Sequence, residues 1–227
     1  MIKAMVCDLD DTLFPEHEFV FSGFEAVDDW LVLNKGLEGF AMLAKRLFAE
    51  GCRGNVFDQV LELVGEPKER SLIEKMLDVY RNHQPKLRLH PDAQRLIDRY
   101  RNEMNMAIIT DGYLQTQRNK VAALGINEYF SPIIYSDAYG RENWKPSEVP
   151  YHNVMAETGF AGYEHVYIGD NPLKDFIAPK KLGWLTIRVI RADGQYAQQQ
   201  VTTDREAVVL INSLDQITDA ILHNGIN

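Results

Sequence analysis

Three carboxylates in four positions follow the first apolar run of the chain, where Met5-Val6-Cys7 leads into Asp8-Leu9-Asp10-Asp11-Thr12. A cluster of this kind is unfavourable behind a buried strand unless the strand's carboxyl end opens into a site, which is where open α/β sheets bind their ligands. Asp8 and Asp10 lie two apart, so in an extended segment their side chains share a face. Two carboxylates on one face repel unless a cation or a shared proton lies between them. The pattern points to a hard-metal site, and phosphate chemistry is the commonest use of one. Three later segments carry compatible groups: Thr110-Asp111-Gly112, Lys145-Pro146 and Gly169-Asp170-Asn171-Pro172-Leu173-Lys174-Asp175. Singly, a Thr at a strand end or a Lys-Pro turn needs no functional explanation. Their joint occurrence, in order and each at a strand end or in the loop after one, is a different matter.

The elements that must position these groups follow from periodicity. Strands are predicted at Met106–Thr110, Ile133–Tyr135, Val166–Ile168, Leu185–Ile190 and Val208–Ile211, besides the first run. Helices are predicted at Pro91–Arg101, Leu114–Leu124, Tyr151–Thr158, Asp175–Lys181 and Gln216–Leu222. Strand–helix alternation of this kind indicates a Rossmann-like, doubly wound parallel sheet with helices on both faces. Residues 14–86 break the alternation. Apolar residues there recur at helical spacing in four stripes, around Phe21–Leu31, Leu37–Phe48, Val56–Val64 and Leu72–Tyr80. A helical bundle is therefore inserted after the first strand, and the α/β core is discontinuous, spanning 1–13 and 87–227.

Composition narrows the class of function. The chain has 227 residues, 45% hydrophobic and 25% charged, as in ordinary globular proteins. Its apolar runs are too short for a transmembrane helix, and the amino terminus enters a strand without a secretory signal. With a net charge of −9 and scattered basic residues, no nucleic-acid patch is present. An acidic chain binds anions locally, through a metal, a lysine or backbone N–H groups. Cys7 and Cys52 have no Cys-x-x-Cys spacing and read as reduced thiols of a cytoplasmic protein. The six histidines (17, 83, 90, 152, 165 and 223) make no metal spacing on one helix face. All candidate ligands are oxygens, which favours Mg²⁺.

Taken together, the four segments resemble the haloacid dehalogenase superfamily, in particular its phosphatases. Asp8, Asp10 and Thr12 match its Asp-x-Asp-x-Thr motif. Thr110 matches the second motif, Lys145 the third, and Gly169, Asp170 and Asp175 the fourth. A helical insertion between the first and second motifs is the family's usual cap. The resemblance implies a Mg²⁺-dependent phosphomonoesterase acting on a small soluble phosphate ester, a sugar phosphate or a nucleoside monophosphate. The acylneuraminate-phosphate and nucleotide phosphatases are the most similar in pattern.

The resemblance also implies roles. Asp8 is then the nucleophile, giving an aspartyl-phosphate, and Asp10 the general acid and then base. Mg²⁺ is held by Asp8, the Asp10 carbonyl and Asp170, with Asp175 further out. Lys145 offsets charge on Asp8 and the phosphoryl oxygens, which Thr110 and the N–H groups of Asp111 and Gly112 bind. Thr12 orients Asp10 and its turn. Asp111 departs from the pattern, since that position is often Asn, and a charge turned inward there would oppose an anion. Strand pleat turns Asp11 from the site, against the alternative of a third metal ligand. Arg53, between two helices of the insertion, is the candidate to read the leaving group, against the alternative of a solvated arginine. A phosphomutase shares every core residue. A receiver-like signalling domain places its phosphorylated Asp on a later strand, and a retired phosphate-binding module usually lacks one of the charged groups.

Overall fold

Predominantly apolar runs have little to give to water, so they form the strands of a parallel sheet covered on both sides. In the computed structural model, which describes residues 1–224, they become β1 (Ala4–Cys7), β2 (Asn105–Thr110), β3 (Ile133–Tyr135), β4 (His165–Gly169), β5 (Leu185–Val189) and β6 (Val209–Ile211). All pairs are parallel, in the order β3-β2-β1-β4-β5-β6. The winding reverses between β1 and β4, and the crevice beyond the carboxyl ends of those strands is where such a sheet takes a ligand. Register sets what meets there. Cys7 is level with Ile108 and Ile168, and Asp8 N donates to Ile168 O at 2.8 Å. The ladder thus runs one residue past β1 and delivers Asp8 beside Gly169-Asp170.

Helices α1 (Glu16–Lys35), α2 (Phe40–Ala49), α3 (Val56–Leu63) and α4 (Arg70–Asn82) follow β1, and α5 (Pro91–Tyr100), α6 (Leu114–Leu124), α7 (Val149–Thr158), α8 (Ile177–Lys181) and α9 (Asp219–Asn224) are interleaved with or follow the remaining strands. None of the described helices is long and apolar enough to cross a membrane. The chain divides into two compact units. One is the sheet unit, Met1–Pro15, Arg88–Gln117 and the chain from Leu124; the other is helical, Glu16–Leu87 with Arg118–Ala123.

In the sheet unit, Val6, Ile109, Tyr151, Tyr167, Phe176 and Trp184 pack into one cluster. Tyr151 meets the Tyr167 and Trp184 rings edge-on at 5.2 and 5.5 Å, geometry worth about 0.5–1.5 kcal/mol per pair beyond burial. In the helical unit, Phe24, Val27, Leu31, Phe40, Val60, Leu61 and Met76 form the centre. Asp28 Oδ1 accepts from Phe40 N at 2.7 Å, so α1 supplies the cap that α2 lacks in its own sequence. Asn119 of α6 donates to the Asn82 and His83 carbonyls at the end of α4, and the Lys120 ammonium lies 4.5 Å from the Phe19 ring centre. These contacts place the middle of α6 in the helical unit, which periodicity alone does not reveal.

Two expected helices differ. The segment predicted as a helix from Asp175 is helical only from Ile177, because residues 172–176 are folded into turns. The last helix begins at Asp219 rather than Gln216. A 3₁₀ turn, Leu214–Gln216, precedes it, with Ser213 accepting from Asp215 N and Gln216 Oε1 reaching back to Ser213 N.

One polar knot ties the sheet unit's loops. Asp92, at the start of α5, accepts at Oδ2 from Arg191 Nη1 (2.7 Å), Ser213 Oγ (2.9 Å) and Leu214 N (2.8 Å). Arg191 Nη2 also donates to Thr12 O at 2.8 Å. Burial works to raise the Asp92 pKa, but Arg191 and the other donors outweigh it and hold the carboxyl at about 2. A depressed carboxylate stabilises the fold above its unfolded value of 3.8 and loses that contribution as pH falls through about 2. The contribution is roughly 2 kcal/mol. In acid titrations followed by circular dichroism, Asp92→Asn is expected to unfold at lower denaturant at pH 7 and to show a flatter stability profile below pH 4. An unchanged profile would remove Asp92 from the acid transition.

Candidate active site

The first side chains to meet beyond β1 and β4 are carboxylates. One ligand atom from each of Asp8, Asp170 and Asp175 lies within 4.8 Å of the others, and all three residues are buried. Asp8 follows β1 and Asp170 follows β4, so the strand pairing brings them together. Asp175 is turned back by a closed loop. Asn171 N donates to Asp175 Oδ2 (2.9 Å), Asp175 N to Asn171 O (3.0 Å) and Leu173 N to Asn171 Oδ1 (3.0 Å). Gly169 allows this approach, since a Cβ there would lie 2.5 Å from Asp175 Oδ2.

Lys145 arrives from the loop before α7. Its Nζ lies 2.5 Å from Asp8 Oδ1, 2.8 Å from Asp175 Oδ1 and 2.9 Å from Tyr167 OH. Burial alone would lower its pKa, but Asp175 and Asp8 raise it well above the ordinary lysine value, so it stays charged. Burial, opposed by Lys145 and reinforced by Asp175, pushes Asp8 up to about 7. Burial together with the charges of Asp175, Asp8 and Asp11 raises Asp170 well above the carboxylate range, against Lys145. The cluster therefore carries more negative charge than its lysine balances.

Thr110 and Asp10 meet through a residue that motif reading missed. Gln117, in the first turns of α6, is buried, and its Nε2 donates to Thr110 Oγ1 (2.5 Å) and to Asp10 Oδ2 (2.9 Å). Helix side chains lean toward the amino-terminal end, so a polar residue one turn into the helix after the second motif is directed back at that motif. Gly112 has φ of +129°, a conformation open to glycine and strained for side chains.

Asp111 does turn inward, and its charge is answered. Oδ1 accepts from Lys145 N at 3.1 Å and Oδ2 from Lys174 Nζ at 2.8 Å. Burial works to raise the Asp111 pKa, but Lys145 and Lys174 hold it below its ordinary value. Lys174 and Tyr167 are the other two polar participants that motif matching did not single out. Lys174 sits inside the fourth segment, and an aspartate where an asparagine is common was a signal that a cation would face it.

The remaining candidates make other contacts. Asp11 has φ of 51°, accepts a long bond, 3.5 Å, from Gln195 N, and adds its charge to those that act on Asp170. Thr12 is fully buried, and among the described residues its Oγ1 makes no hydrogen bond, so it does not orient Asp10 through that atom. Arg53 is exposed, donates to Phe48 O (2.7 Å) and Cys52 O (2.9 Å), and lies over the Phe48 ring at 3.6 Å. Both acceptors lie within five residues of it in the chain. Cys7 is buried with its thiol pushed up by burial, the state of an apolar filler.

The donor set fits a hard divalent cation. All three ligand atoms are carboxylate oxygens, as Mg²⁺ requires. Asp175 Oδ1 is buried and accepts no hydrogen bond of proper geometry, although Lys145 is near.

Comparison with known proteins identifies the family. The model of the haloacid dehalogenase-like hydrolase family matches residues 5–189. The glyceraldehyde 3-phosphate phosphatase of Methanocaldococcus jannaschii is 30% identical over 230 residues, covering 97% of both chains. The phosphoserine phosphatase of Thermus thermophilus is 27% identical over 157 residues, covering 69% of this chain and 59% of its own. Among solved structures, the magnesium-bound HAD-hydrolase YfnB from Bacillus subtilis superposes with a TM-score of 0.67 at 18% identity, covering 100% of this chain and 99% of that one. This chain belongs to the haloacid dehalogenase-like hydrolase family, on the side of it where the phosphatases lie.

Proposed function

We propose that this chain is a Mg²⁺-dependent phosphomonoesterase that works through an aspartyl-phosphate on Asp8. The observation that carries the reading is the buried trio Asp8, Asp170 and Asp175 with Lys145 at ion-pair distance from two of its members. Asp8, Asp170 and Asp175 would hold the ion with the Asp10 carbonyl. Bound there, the ion neutralises carboxylate charge and polarises a phosphoryl oxygen.

The residues of the chain divide the remaining work. Lys145 holds one oxygen of Asp8 and leaves the other to attack phosphorus. Gln117 occupies Thr110 Oγ1 as donor, so the threonine hydroxyl is left to donate to a phosphoryl oxygen. The N–H groups of Asp111 and Gly112, on the same loop, serve the same group. Asp10, held by Gln117, gives its proton to the leaving alcohol and then takes one from the water that opens the intermediate. These groups all belong to the sheet unit and recognise what every phosphomonoester shares. Choice among esters is assigned to the inserted helical unit acting as a cap.

The relatives narrow the substrate. Glyceraldehyde 3-phosphate and phosphoserine, named for the two curated relatives above, are both three-carbon phosphomonoesters. A small phosphorylated metabolite of that size is the proposed class, smaller than the sugar phosphates and nucleotides considered from sequence. The test is phosphate release from a panel of three-carbon esters, hexose phosphates and nucleoside monophosphates with Mg²⁺, with and without a sugar bisphosphate. Highest kcat/KM on a three-carbon ester is expected. Turnover that appears only with the bisphosphate would replace the hydrolase by a mutase, and preference for nucleotides would overturn the substrate class.

A further inference from the structure

We propose that Lys174, held by Asp111, is a second cationic side chain, beside Lys145, that binds the substrate's phosphoryl oxygens. The proposal rests on the phosphatase reading and assigns a specific residue within it.

Two lysines enter the site, and their surroundings differ. The Lys145 side chain has no exposed surface, and three protein oxygens lie within 3 Å of its Nζ: Asp8 Oδ1 at 2.5 Å, Asp175 Oδ1 at 2.8 Å and Tyr167 OH at 2.9 Å. An ammonium has three donors, and here two are engaged, by Asp8 and Tyr167, with Asp175 nearby as an ion pair. A phosphate dianion arriving from water finds at most one donor on Lys145.

The Lys174 side chain is 31% exposed, and among the described residues its Nζ has one hydrogen-bond partner, Asp111 Oδ2 at 2.8 Å. Two donors remain. Asp111 is 4% exposed, and its other oxygen is fixed by the backbone N–H of Lys145. The carboxylate thus joins three site loops: its own after β2, that of Lys145, and the one after β4 that carries Lys174. It follows Thr110 directly and precedes Gly112, so a cation it anchors stands at the loop whose hydroxyl and N–H groups face the phosphoryl group. The aspartate at this position supplies an anchor for a positive charge and does not oppose the anion.

The experiment measures binding and turnover separately. Inorganic phosphate is titrated calorimetrically into the Mg²⁺-loaded protein, and kcat/KM is measured on the preferred ester. Lys174→Met is expected to weaken phosphate binding and lower kcat/KM together by roughly 10- to 100-fold, the worth of one charged hydrogen bond. Lys174→Arg should recover most of both. Removing the cation leaves a buried carboxylate unpaired and could unfold the protein, so the double variant Lys174→Met, Asp111→Asn removes both charges at once. It keeps the phosphate defect if Lys174 binds the anion. Wild-type phosphate affinity in the folded double variant, or in Lys174→Met, would overturn the assignment and leave the pair a structural tie between loops. Because phosphate binding is read apart from turnover, an inactive wild-type protein would count against the proposed reaction and not against this assignment.

Discussion

Asp8→Asn is expected to lower kcat by about 10⁴-fold or more while the protein stays folded. The amide has nearly the shape of the carboxylate and can still accept from Lys145, but it cannot form the phosphoryl intermediate. The size follows from removing the nucleophile, without which the remaining groups bind and polarise the ester but give no covalent route. The fold should not suffer. Burial is the largest influence on Asp8 and disfavours its charge, so a neutral amide is tolerated there although the Lys145 ion pair is weakened. Phosphate release under saturating ester and Mg²⁺, with circular dichroism beside it, makes the check. A folded variant within tenfold of wild type would remove Asp8 as the nucleophile. Asp10→Asn in the same assay should be damaged less on nitrophenyl phosphate than on an alkyl ester, because nitrophenolate leaves without a proton.

Chelation is the second large effect. Excess EDTA is expected to abolish turnover, Mg²⁺ to restore it, and Ca²⁺ to bind with poor turnover because its coordination is larger and looser. The metal should also be visible in stability, and the sign follows from Asp8. Its unfolded carboxyl titrates near 3.8 and its folded one at about 7. A group raised on folding binds a proton in the native state that the unfolded chain lacks, so metal-free stability falls as pH rises from about 4 to 7 and is level above. Mg²⁺ offsets that loss by binding the ionised form. Thermal melts with and without Mg²⁺ should therefore show a larger gain at pH 8 than at pH 5. At free Mg²⁺ a hundredfold above Kd the gain at pH 8 is about 2.7 kcal/mol. Asp170→Asn should remove most of it. Full activity in excess chelator, or a Mg²⁺ gain that persists in Asp170→Asn, would contradict the ligand set.

Much of this molecule was readable along the chain because the signals are local. Largely apolar runs bounded by turn signals state that a strand is buried, so the parallel sheet and the positions of Asp8, Thr110 and Asp170 at its carboxyl edge followed from periodicity and composition. The break in alternation marked the helical insertion for the same reason. Spacing likewise showed which residue types could do chemistry, since motif residues sit at fixed offsets from strand ends.

What tertiary structure decided were pairings between segments far apart in sequence, for which no local pattern exists. The parallel register of β1 on β4 determines that Asp8 meets Asp170, and the loop closed by Asn171 determines that Asp175 joins them rather than starting a helix. Gln117 bridges Asp10 and Thr110 only because the fold brings the start of α6 back beside the first and second motifs. Residues 118–123 belong with the helical unit because Asn119 caps α4 and Lys120 covers Phe19. The charge of Asp111 could be read either way from sequence. Its partner, Lys174, stands 63 positions away, and only the folded chain brings that ammonium to the carboxylate and makes an apparent obstacle to anion binding into its anchor.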